Sequence, residues 1–136
     1  MSMNGLTIYS SRFDAATTID RLVSAIEKRG IGVIARFDHA AAAEKVGLAL
    51  PPTELIVFGN PKVGTALMQA QQTAGIDLPL KTLVWTDTNA RTWLGYNNPA
   101  WIAARHGITG ADNTVQAMAS ALAAIAKEAT DAAHSE

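Results

Sequence analysis

Leu80-Lys81-Thr82-Leu83-Val84-Trp85 and Arg91-Thr92-Trp93-Leu94-Gly95-Tyr96, separated only by Thr86 to Ala90, decide the architecture of this chain. Both runs carry the β-branched and aromatic residues that suit a pleated, half-buried surface. The connection between them has the length of an ordinary hairpin loop. Two consecutive strands joined by a short turn break the strict βα alternation of a doubly wound fold.

Working upstream, Phe58-Gly59-Asn60-Pro61 hands a compact strand, Glu54 to Phe58, over to a helix with Asn60 as N-cap and Pro61 at its first position. That helix is predicted to reach about Ala74 and stop at Gly75. Before Pro51-Pro52, the alanine run from Ala40 to Val46 is a short helix closed by Gly47, and Ile31 to Phe37 alternates as a strand. Asp14 caps a helix to about Arg29, with Ile19, Leu22, Val23 and Ile26 on one face. Leu6 to Ser10 opens the domain as a strand.

Downstream of the hairpin, Asn98-Pro99 starts a short helix ending at Gly107. A last amphipathic helix begins near Asp112, and residues from about 131 to 136 are expected to fray. The prediction is one α+β domain over residues 1–136, two-layered, with a largely antiparallel five-stranded sheet and its longer helices on one face.

Composition narrows the functions. Hydrophobic residues make up 49% and charged residues 17%, too apolar for disorder. Eleven basic against twelve acidic residues leave a net charge of −1, which argues against nucleic acid as a partner. The absence of cysteine excludes disulfides, zinc–thiolate sites and thiol nucleophiles. No apolar run is long enough for a bilayer and no signal peptide is legible, so no membrane partner is expected and the cytoplasm is the default compartment.

The densest candidate site is again the strand-to-helix junction. A helix start offers backbone N–H groups and partial positive charge to an anion. Around it Asn60, Lys62, Gly64 and Thr65 supply a cap, a full charge, room for close approach and a hydroxyl. The run is not a phosphate-binding P-loop, since it lacks the four-residue gap and the Lys-Ser/Thr pair. A well-made cap beside a solvated lysine explains the same residues.

His39 ends a strand at a loop, where it can serve as a base, a ligand group or a structural donor. Asp38 points to the opposite strand face and does not orient it. In the hairpin, Lys81 and Tyr96 can turn polar tips into a cleft, with Asn97 just beyond; core packing is the simpler role for its aromatics. No motif calls for a cofactor, and His39, His106 and His134 lack metal-ligand spacing.

Several blocks bring out a resemblance: Phe37-Asp38-His39-Ala40, Gly47-Leu48 with Leu50-Pro51-Pro52-Thr53, and Phe58-Gly59-Asn60-Pro61-Lys62 with Gly64-Thr65 and Leu67-Met68. Asp77-Leu78-Pro79-Leu80-Lys81, Leu83-Val84-Trp85, Tyr96-Asn97-Asn98-Pro99 and Arg105-His106 continue it. From Leu6 to the final helix the chain resembles the domain of unknown function (DUF) 302 family. The resemblance implies a TATA-binding-protein-like α+β fold of β-α-β-β-α-β-β-α order and a homodimer. It implies no activity. Where that family's hairpin has glycine after an acidic residue, this chain has Asp87-Thr88-Asn89-Ala90; Asn89 can adopt the left-handed conformation, so a turn is retained with its type left open.

Three functions follow as expectations. The first is a binding domain for a small carboxylate or phosphate, without catalysis, gathering His39, Asn60 to Thr65, Lys81, Tyr96 and Asn97. The second is an enzyme with His39 as acid or base and Lys62 or Lys81 stabilising negative charge. That mechanism requires His39 within about 10 Å of a lysine, close enough for a shared hydrogen-bond shell. The third is a homodimeric module built on the aromatic hairpin and on Ala119, Ala123, Ala126 and Ala129.

Overall fold

In the computed structural model, which describes residues 2–131, the hairpin forms as expected. Its strands are β5 (Leu80–Thr86) and β6 (Thr92–Asn97), in register from Thr82 opposite Tyr96 to Thr86 opposite Thr92. The sheet grows antiparallel from both sides of this pair. On one side stand β4 (Thr53–Gly59) and then β3 (Gly32–Asp38); on the other, β2 (Leu6–Ser10) pairs with β6. To the five expected strands the structure adds a two-residue edge piece, β1 (Ser2–Met3), giving the order β1-β2-β6-β5-β4-β3.

The helices are α1 (Ala15–Lys28), α2 (His39–Lys45), α3 (Pro61–Ala70), α4 (Pro99–Arg105) and α5 (Asp112–Thr130). The antiparallel pair α1 and α5 covers one face of the sheet. Strand alternation sends Tyr9, Ile56, Phe58, Val84, Leu94 and Tyr96 toward that pair, where Leu22, Ile26, Leu122 and Ile125 meet them in the main core. Full burial of side chains this size stabilises by roughly 1.5–3 kcal/mol each.

One element departs from expectation. The helix after Asn60 ends at Ala70, and Gln72–Asp77 forms a 3₁₀ turn with Gly75 inside it. Gln71 takes an extended conformation, with φ −154° and ψ 111°, and this break folds the chain back. Ala74 thereby joins Leu67 and Met118 in a second, smaller apolar cluster.

The tail expected to fray begins at Asp131, which pairs with Arg12 at 2.9 Å. Its remaining residues, 132–136, lie outside the described residues. Among the described residues no helix is long and apolar enough to cross a membrane.

Candidate functional site

The start of α3 is built as the sequence predicts, and that same construction engages the amides of its first turn. Asn60 Oδ1 accepts from the Lys62 amide at 2.9 Å. The Asn60 carbonyl accepts from Val63 at 3.0 Å and from Gly64 at 3.1 Å. Pro61 has no N–H to offer. The donors of the first turn are therefore all engaged, and the amide-rich terminus on which an anion site rests is filled by its own cap.

What this turn does border is a cleft of about 250 Å³. Val63, Met68, Leu78, Leu80 and Met118 form its apolar walls, and Asn60 and Thr65 its polar edge. Gly64 keeps it open: a Cβ there would meet only Leu78 Cδ1, at 3.9 Å, an ordinary van der Waals contact. The cleft lies where β4 leaves the sheet and β5 enters it, bordered by α3 and by Met118 of α5. Lys62 is exposed and is not part of its lining.

The other expected site residues are not gathered here. Gly32 pairs with Gly59 beside the cleft, whereas Asp38 pairs with Glu54 at the far end of β4. His39 follows Asp38, so it stands the length of β3 away, about 20 Å at the usual rise per residue. It opens α2 rather than a loop, it is exposed, and the Asp38 carboxylate caps that helix by accepting from Ala41 at 2.9 Å. The shared hydrogen-bond shell that the His39 enzyme mechanism requires is not formed with the α3 turn.

Lys81 lies on the sheet face away from the helices, since Leu80 faces the second core cluster and side chains alternate. Its Nζ donates to the Asp77 carbonyl at 3.2 Å, and partial burial lowers its pKa despite the nearby Asp77 charge. Tyr96 is a core residue, 6% exposed, stacked on Tyr9 with its hydroxyl 3.4 Å from the Tyr9 hydroxyl. Burial raises its pKa far above the ordinary phenol value, with the Tyr9 contact adding to the effect. Asn97 closes β6 opposite Leu6. Of the expected set, Asn60, Gly64 and Thr65 share the cleft.

A different cluster escaped the sequence reading. His106, at the end of α4, places Nε2 2.6 Å from Asp77 Oδ2 and Nδ1 2.9 Å from Thr73 Oγ1. Arg105 Nη1 holds both Asp77 oxygens, at 2.9 and 3.1 Å. The His106 and Asp77 side chains are only 7% and 11% exposed. Twenty-nine residues separate His106 from Asp77 in the chain, so no local spacing betrays them. The sequence signal available was that Asp77 and Arg105-His106 both fall in the blocks carrying the family resemblance.

Fold and site together define a two-layer α+β domain with a small apolar cleft at a strand–helix junction and a nearly buried imidazole–carboxylate pair. The chain matches the family described as "Domain of unknown function DUF302" over residues 7–125, and it belongs to that family. A crystal structure of an uncharacterized conserved DUF302 protein from Bacillus stearothermophilus has the same fold, with a TM-score of 0.83 at 20% identity. The match covers 92% of this chain and 98% of that one.

Proteins named fluoride-specific ion channel FluC 1 from Brucella suis biovar 1 and Brucella abortus biovar 1 are each 43% identical over 127 residues. Those matches cover 93% of this chain but 50% and 47% of the relatives. The chain thus spans about half the length of the curated relatives it matches.

Proposed function

We propose that this chain is a small-molecule-binding domain whose ligand places a compact apolar body in the cleft beside α3. The observation that carries this reading is the lining: apolar walls with a polar edge limited to Asn60 and Thr65. Binding sites of this kind are mostly apolar, with a few placed polar groups. At about 250 Å³ the cleft is smaller than the roughly 300–1,000 Å³ of drug-sized pockets. An apolar cavity of roughly 150 Å³ accepts benzene, so a single ring or short acyl chain is the appropriate size. The engaged amides of α3 move the reading from the carboxylate or phosphate of the sequence analysis toward an apolar group, with any charge lying outside toward Lys62.

Native mass spectrometry of freshly purified protein, combined with saturation-transfer NMR using indole as probe, tests this. Gly64→Leu is the informative variant, because its side chain enters the cleft while the helix gains roughly 0.8–1.0 kcal/mol in propensity. The variant should fold normally and bind indole at least about tenfold more weakly, a difference of roughly 1.4 kcal/mol. Equal binding by both proteins would exclude the cleft as the site.

A second reading concerns assembly with another copy of the chain. Ile34 and Phe37 on β3, and Val46, Leu48 and Leu50 beyond α2, are between 44% and 71% exposed. β3 is also an edge of the sheet. Apolar side chains along an open edge favour an isologous dimer, in which the same patch serves both partners. The alanine face of α5 does not support the alternative interface, because Ala126 and Ala129 are buried against α1 and the sheet.

The channel activity that names the Brucella relatives is a property of proteins about twice this length. The lack, among the described residues, of a helix fit to cross a membrane supports assigning it to their other half.

A further inference from the structure

We propose that Thr73, His106 and Asp77 form an acyl-accepting nucleophilic centre, distinct from the cleft, for esters with a short apolar acyl chain. The contacts are arranged in series. A carboxylate only accepts hydrogen bonds, so the 2.6 Å contact from Asp77 Oδ2 places the proton of a neutral imidazole on His106 Nε2. Nδ1 is then the unprotonated nitrogen, and the Thr73 hydroxyl, 2.9 Å away, donates to it. A hydroxyl aimed at a base whose far nitrogen is held by a carboxylate is the constellation of nucleophilic hydrolases, recognised by roles rather than by chain order.

Access and shielding are divided as this chemistry needs. His106 and Asp77 are nearly buried, while Thr73 is exposed to an incoming ester. Arg105, bonded to both carboxylate oxygens, fixes the plane of Asp77; Arg105 and Asp77 are positioning residues. In a 3₁₀ helix, side chains three apart eclipse each other, which sets Ile76 directly beside Thr73. Ile76 is 75% exposed, an apolar surface for an acyl chain with no role in the core.

In the acylation step Thr73 Oγ1 bonds to the carbonyl carbon and its proton passes to His106 Nδ1. The bond to the leaving alcohol then breaks, and the alcohol departs with that proton. Water repeats the sequence on the threonyl ester, releasing a carboxylic acid and restoring the hydroxyl. General-base catalysis of this kind contributes about 10²–10⁴-fold, so a slow esterase is expected.

The full chain, incubated with p-nitrophenyl butyrate and quenched in acid, should carry one butyryl group, mapped by peptide mass to Thr73. Thr73→Val should abolish the adduct and Thr73→Ser should retain it. His106→Gln should slow acylation about a hundredfold. Asp77→Asn should displace its pH profile, which a merely structural clasp would leave in place. Ile76→Ala should lower the preference for butyrate over acetate. Absence of a Thr73 adduct in the wild type, or acylation of lysines alone and equal in Thr73→Val, would overturn the proposal. Because Thr73 is exposed, its two variants remain decisive even where His106→Gln fails to fold.

Discussion

Thr82 sits on the helix-facing side of β5, opposite Tyr96, and is 1% exposed. Its Oγ1 has no hydrogen-bond partner among the described residues. A buried hydroxyl left without a partner costs roughly 1–3 kcal/mol, and valine has the same shape without the polar atom. Thr82→Val is therefore expected to raise stability by about 1 kcal/mol, read as a higher urea midpoint at unchanged slope. A destabilised variant would mean the hydroxyl is satisfied in solution. Single residues were the scale at which the sequence said least. His39 drew attention because it ends a legible strand, whereas His106 lay in an unremarkable Arg-His-Gly at a helix end. Their surroundings reverse that order, since burial and partners come from contacts between distant segments.

At the scale of elements the chain was more legible, because caps and hairpins are written in neighbouring residues. Asn60 and Asn98, each followed by proline, start α3 and α4 with the expected side-chain caps. The hairpin turn was predicted, but its strained residue was not. Ala90, rather than Asn89, adopts the left-handed conformation at φ 61°. Asp87 is the reason. Its carboxylate accepts from Asn89 at 2.8 Å, Arg91 at 3.0 Å and Trp93 Nε1 at 2.8 Å. Those bonds, the indole's first, lower its pKa and hold Asn89 inside the turn.

The left-handed conformation costs an L-residue roughly 1–2 kcal/mol, part of which glycine returns through its greater unfolded-state freedom. Ala90→Gly should accordingly stabilise the domain by about 0.5–1 kcal/mol in thermal or urea unfolding. No gain would show that the Asp87 network tolerates the strain at no cost. Another hairpin went unread. Asn4-Gly5, at φ 50° and 89°, joins β1 to β2, and only two residues precede that turn as strand. Gly5 is obligatory for a second reason, since a Cβ there would lie 2.4 Å from the Trp101 ring.

For the whole molecule, the antiparallel two-layer arrangement followed from one short connection, while the use of its surfaces did not. Alanines along α5 looked available for a partner, yet Ala126 and Ala129 let α1 approach closely within the core. Conversely, β3 reads only as an alternating strand, and it forms an edge that leaves Ile34 58% and Phe37 52% exposed. Alternation reports which residues share a face and says nothing about whether that face is covered.

Leu48, 66% exposed, follows α2, the helix that begins at the end of β3 next to Phe37 and contributes no buried residue. This protruding segment and the β3 edge form the surface on which a second copy is proposed to sit. Sedimentation across a concentration series should give a dimer, and Phe37→Glu with Leu48→Glu should give a monomer. Both positions are exposed in the single chain, so the variant should keep the wild-type circular dichroism and lose little intrinsic stability, within roughly 0.5 kcal/mol per site. A wild type that stays monomeric at its highest soluble concentration would exclude the dimer. A dimer indifferent to both charges would place the contact elsewhere.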